Sequence, residues 1–103
     1  MIHVTTTCPD IETARLLAGA AISRRLAACA NITPGLLSVF HWQGKVEDEP
    51  EVQITFKASA ATRADLVALI EAEHPYDLPV ITWEAVETTA EAAAWLAEET
   101  GPK

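Results

Sequence analysis

The side chains best suited to metal binding or nucleophilic chemistry in this sequence are two thiols, Cys8 and Cys29, and three imidazoles, His3, His41 and His74. Thiolate and imidazole suit copper or zinc, and a carboxylate can complete such a donor set. Cys8 with Glu73 and His74 supplies that mixture. Their spacing is not a recognised ligand motif, and they also fit a thiol in the first turn of a helix and a histidine that ends one. Cys29 with Lys57 is a second pairing, because a nearby ammonium lowers a thiol pKa. No matched base accompanies it, and a buried structural cysteine satisfies the same pattern. His41 beside Trp42 suits stacking on a ligand or packing in an interface. The run Glu47-Asp48-Glu49-Pro50-Glu51 offers oxygen ligands to hard cations but lacks the fixed spacing of an EF-hand loop. Charge and proline there fit better as protection of a solvated strand edge. The sequence offers no Gly-rich phosphate loop and no Ser-His-Asp constellation.

The elements that must position these groups follow from periodicity. Ile2 to Thr7 is a β-branched run that reads as a strand. Cys8-Pro9-Asp10 stops it and opens a helix, with Asp10 and Glu12 at the positive end of the dipole. Ile11, Ala14, Leu17, Ala18, Ala21 and Ile22 recur at helical spacing, giving an amphipathic helix to about Leu26. Cys29 to Ala58 then reads as one long hairpin, broken by a bulge at Pro34-Gly35 and turning at Gln43-Gly44-Lys45. Each arm is about a dozen residues, against a usual strand of roughly five or six. Ser59 is placed to cap a second helix with the stripe Leu66, Leu69 and Ile70, ended by His74-Pro75. Val80 to Val86 is the last strand. Thr88 and Glu91 have capping-box spacing before a third helix, and Trp83 and Trp95 read as core or helix-packing residues.

The order is α+β, a ferredoxin-like βαββαβ sandwich with an additional C-terminal helix and a long hairpin between its second and third strands. Right-handed crossovers favour the sheet order 4-1-3-2, which leaves the long second strand at an edge. A long apolar edge invites aggregation unless something pairs with it. The order also puts Cys8 and Cys29 at opposite ends of parallel strands, too far apart for a disulfide. His74 and Tyr76 return to the Cys8 end, while Lys57 shares the other end with Cys29.

At 103 residues the chain reads as a single domain, 1–103, and half of its residues are hydrophobic. No run approaches the roughly 18 apolar residues of a membrane span. A net charge of -8 opposes binding to nucleic acid and to anionic membrane surfaces. The start of the chain has no basic or long apolar leader, so a cytoplasmic protein with reduced thiols is expected.

Thr7-Cys8-Pro9-Asp10, the run from Arg25 to Gly35, Ser38 to Lys45, Glu51, Lys57, and His74-Pro75-Tyr76-Asp77-Leu78-Pro79 resemble the signature of the CutA divalent-cation tolerance proteins. The resemblance spans nearly the whole chain in order. It implies a ferredoxin-like subunit in a tight homotrimer whose long hairpins pack around the three-fold axis and pair edges between subunits. It further implies a role in tolerance to copper or other divalent cations and a likeness in architecture to the trimeric PII signalling proteins. The family's recurring residues make Cys29, Trp42, Lys57, His74 and Tyr76 walls of a ligand pocket between subunits. Some members carry a His-His pair before Pro-Tyr and a cysteine near the end of the first strand as copper ligands; here those places hold Glu73-His74 and Thr6.

The expectation is therefore a non-enzymatic trimer that binds ions, small ligands or an unidentified protein partner, with no required cofactor. A small enzyme using Cys29 or His74 in an intersubunit pocket is the alternative. A PII-like signalling protein or a purely structural assembly module is the third reading.

Overall fold

A computed structural model describes residues 1–102. The chain runs β1 (Ile2–Cys8), α1 (Ile11–Ser23), β2 (Cys29–Trp42), β3 (Lys45–Ala58), α2 (Arg63–Glu73), β4 (Ile81–Ala85) and α3 (Ala90–Glu99). The four strands form one sheet in the order β2-β3-β1-β4, with every neighbouring pair antiparallel. This is the expected topology. β2 lies at one edge, and Cys8 and Cys29 lie at opposite ends of the sheet.

Strand alternation decides which face is covered. Val4 and Cys8 on β1 point the same way as Val52, Ile54, Phe56 and Ala58 on β3, and all are buried. Ala14, Leu17 and Ala21 of α1 and Leu66, Leu69 and Ile70 of α2 close over that face. Burying Ile54, Phe56, Leu66 or Ile70 stabilises the fold by about 1.5–3 kcal/mol each.

Local chemistry sets the helix ends. Asp10 accepts a hydrogen bond from the Thr13 amide at 2.7 Å and caps α1. The helix stops at Ser23, earlier than the periodicity suggests. The Arg25 amide donates to Ile22 and the Leu26 amide to Ala21, with Arg25 left-handed at φ 60°. That pair of bonds is a Schellman ending. Ile22 is half-exposed and does not join the buried stripe.

Ser59 does not cap α2. Its hydroxyl accepts from the Thr62 amide in a turn, and the helix opens four residues later, at Arg63. The cap of α3 is Thr89, which accepts from the Ala92 amide, so the box between Thr88 and Glu91 does not form. Trp83 is 49 % exposed and carries the Arg63 guanidinium 4.8 Å over its ring, and Trp95 is also exposed. Neither is a core residue.

The hairpin is the departure from a compact sandwich. β1 pairs with β3 only from Val52 to Ala58, so Leu36–Trp42 and Lys45–Glu51 project as a two-stranded arm. Gln43 and Gly44, at φ 49° and 81°, make the two-residue turn, and both need the left-handed region that such primed turns use. The bulge falls between Thr33 and Leu36, with Gly35 at φ 82°. The radius of gyration, 14.4 Å, exceeds the roughly 13 Å expected for a compact domain of this length. The projecting arm accounts for the excess.

Candidate functional site at the base of the hairpin arm

Past the bulge, each face of the arm has its own chemistry. Cross-strand partners share a face, so Leu36, Ser38, Phe40 and Trp42 lie with Glu51, Glu49, Glu47 and Lys45. Leu37, Val39 and His41 lie on the other face with Pro50, Asp48 and Val46. The second face is bare and, apart from His41 and Asp48, apolar: Leu37 is 62 % exposed, Val39 65 % and Val46 75 %.

The first face meets the segment between α2 and β4. Together they bound an open groove of about 960 Å³ whose lining includes Phe40, Trp42 and Tyr76, and the carboxylates of Glu47, Glu49 and Glu51. At its base the Tyr76 hydroxyl donates to Glu51 Oε2 at 2.7 Å. Burial disfavours the charged form of Glu51, yet hydrogen bonds from Ser38, Tyr76 and Thr7 prevail. They hold its carboxyl below the usual range. Burial, then the hydrogen bond and charge of Glu51, with smaller effects of Cys8 and Glu49, push the Tyr76 phenol well above its ordinary value. A neutral phenol donating to an ionised carboxylate is the stable arrangement, and such charge-assisted bonds are the stronger kind.

His74 ends α2 because Pro75 forces it out of the helical region; its φ and ψ are -70° and 136°. The ring then tucks under β1. Nε2 lies 2.8 Å from the Thr7 carbonyl oxygen, and Nδ1 accepts from the Tyr76 amide at 3.1 Å. The His74 and Tyr76 rings lie 4.7 Å apart between centroids.

The sequence-derived candidates divide accordingly. His74 and Tyr76 are together. Cys29 and Lys57 are direct cross-strand partners, as expected, but six residues along β3 from Glu51, roughly 20 Å away. Trp42 stands at the far tip of β2, thirteen residues from Cys29 and so roughly 40 Å from it. The five pocket residues therefore cannot meet within one chain; a pocket containing all of them needs several.

Cys8, Glu73 and His74 do not gather as a metal-binding set. Among the described residues no group of three or more His, Cys, Asp or Glu side chains is arranged to hold a metal ion. Both His74 ring nitrogens are already engaged. Cys8 is fully buried, and burial, followed by the charges of Glu51 and Asp10, pushes its thiol up to about 11. That favours the thiol over the thiolate a metal requires.

Glu51, Thr7 and Ser38 were not expected as site residues. In the sequence Glu51 reads as part of an acidic strand edge and as one word of the family signature. The signal that separates it is its position: it is the last residue before the buried Val52, where the covered half of β3 becomes the bare half.

The class defined by this architecture is a ferredoxin-like α+β fold with an outsized hairpin. A model of the CutA1 divalent ion tolerance protein family matches residues 2–99. The chain is 38 % identical over 96 residues to the divalent-cation tolerance protein CutA of Thermus thermophilus, covering 92 % of this chain and 93 % of that one. Among solved structures, CutA1 from Pyrococcus horikoshii superposes with a TM-score of 0.94 at 34 % identity, covering 99 % of this chain and 100 % of that one. The periplasmic divalent cation tolerance protein CutA from Archaeoglobus fulgidus gives 0.91 at 30 % identity, covering 96 % and 98 %. This chain belongs to the CutA1 divalent ion tolerance protein family. Among the described residues no helix is long and apolar enough to cross a membrane.

Proposed function

We propose that the protein is a non-enzymatic homotrimer of the cytoplasm that serves tolerance to copper or other divalent cations by binding ions, small ligands or another protein. The observation that carries this reading is the bare hairpin arm. Two antiparallel strands alone in water are marginally stable at best, and this arm exposes Leu37, Val39 and Val46 on one face and an unpaired β2 edge. Second and third copies of the chain would cover both. They would also bring the Cys29–Lys57 end of one subunit toward the His74–Tyr76 end of another, which one chain cannot do.

In this reading tolerance depends on the assembled body and not on a metal centre preformed within one chain. The test is Leu37→Asp with Val39→Asp, placed on the arm and away from the core. The doubly substituted chain should keep its secondary structure by circular dichroism, lose assembly, and fail to restore copper tolerance to cells lacking the protein. Full restoration by a variant that no longer assembles would overturn the reading.

A further inference from the structure

Three aromatic rings, Phe40, Trp42 and Tyr76, open onto the groove, and each is more than a third exposed. Rings gathered on one bare surface mark a place where something docks. The hollow is already formed. Its wall from Pro75 to Val80 is pinned at one end by the His74 ring on the Thr7 carbonyl and at the other by the Thr6 hydroxyl, which donates to the Val80 carbonyl at 2.9 Å. Between those ends Tyr76 is fastened to Glu51. A fixed concave surface, largely apolar with a few polar groups, is the usual form of a small-ligand site.

The polar groups decide the charge of the occupant. Glu47, Glu49, Glu51 and Asp77 line the groove, and among the described residues no lysine or arginine does. Glu51 is engaged by Tyr76, which leaves Glu47 and Glu49 further out along the arm. Two residues apart on β3, they share a face with α-carbons roughly 6.5–7 Å from each other. They do not belong to any group of three or more ligands arranged to hold a metal ion among the described residues. On the facing strand Phe40 stands directly opposite Glu47, with Trp42 one pair further on. Ring faces attract ammonium groups, and apolar methylenes gain by leaving water against them. In an extended 1,4-diamine the two nitrogens are roughly 6 Å apart, from bonds of about 1.5 Å. That separation matches the carboxylate pair.

We propose that the groove binds linear aliphatic polyamines, with successive ammonium groups at Glu47 and Glu49 and the methylenes between them on Phe40 and Trp42. The proposal rests on the reading of the protein as a binder of small ligands and gives that ligand a chemical class. A compact inorganic dication fills one of the two places, whereas a diamine of the same charge spans both. The rings and both carboxylates lie on the face of the arm opposite Leu37, Val39 and Val46, so a ligand here and another copy there do not compete for one face.

Isothermal titration calorimetry of the intact protein with spermidine and 1,4-diaminobutane, each with and without an equal concentration of magnesium chloride, tests the proposal. Light scattering on the same samples records assembly. Both amines should bind saturably and resist displacement by magnesium. Glu47→Gln with Glu49→Gln should weaken spermidine binding roughly tenfold, as two exposed ion pairs are lost. Glu71→Gln with Glu98→Gln removes the same charge from exposed helix positions outside the groove and should leave binding unchanged. Absence of saturable binding, displacement by magnesium, no weakening in the groove pair, or equal weakening in both pairs would overturn the inference. A trimer that takes up neither amine defeats this inference alone, while a monomer that binds both defeats the proposed assembly and leaves the groove's ligand standing.

Discussion

Glu51 changes from an acid among acids to the pivot of the groove because of where its strand loses cover. Its carboxyl accepts from Tyr76 and is held below the ordinary glutamate value of 4.5. An unfolded chain therefore takes up this proton at a higher pH than the fold does. The resulting stabilisation is fully present above about pH 4.5 and is lost as pH falls through the lower folded value. Glu51→Gln should flatten the dependence of unfolding free energy on pH below 4.5, and should cost about 1 kcal/mol at neutral pH as a charge-assisted bond becomes an ordinary one. Denaturant titrations of both proteins at a series of pH values measure this, and parallel acid slopes would contradict it.

At the scale of elements, the ending of α1 ties down the far end of the chain. Arg25 is left-handed at φ 60°, a conformation that strains a residue with a Cβ by roughly 1–2 kcal/mol. Its side chain shows why the strain is tolerated. Nε donates to the Gly101 carbonyl at 2.8 Å and Nη2 to the Glu98 carbonyl, while the Gly101 amide donates back to the Arg25 carbonyl at 2.9 Å. Arg25→Ala keeps the strain and loses both side-chain bonds, whereas Arg25→Gly loses the bonds and relieves the strain. Both should lower hydrogen-exchange protection across α3, with the alanine variant less stable than the glycine variant by about 1 kcal/mol. Equal stability of the two would show that the φ value carries no strain. Such a clamp is not legible in sequence, because it joins residues 76 positions apart. The elements themselves were legible. Alternation and turn residues give four strands and the bulge, and crossover handedness gives the sheet order, while the errors fall at helix ends, where Ser59 takes the Thr62 amide one turn ahead of α2 and Thr89 takes the Ala92 amide.

For the whole molecule, the hairpin sets both the shape and the exposed apolar surface. Its length and edge position were legible as a covering problem, and the family resemblance extends over residues 2–99. The candidate site was legible only in part. His74 and Tyr76 are found together because the βαββαβ order returns α2 to the end of β1. The five proposed pocket residues span more length than one chain can fold into a pocket, since Cys29 and Trp42 end the same 14-residue strand. The Cys8–Glu73–His74 donor set was readable as residue types, but the engagement of both His74 nitrogens appears only in three dimensions. The bare arm and the unpaired β2 edge are what the proposed trimer would cover. The mass of the native protein by light scattering at micromolar concentration tests that most directly. The proposed trimer has three times the 11.1 kDa of one chain, and a stable 11.1 kDa monomer with its arm bare to water would rule that assembly out.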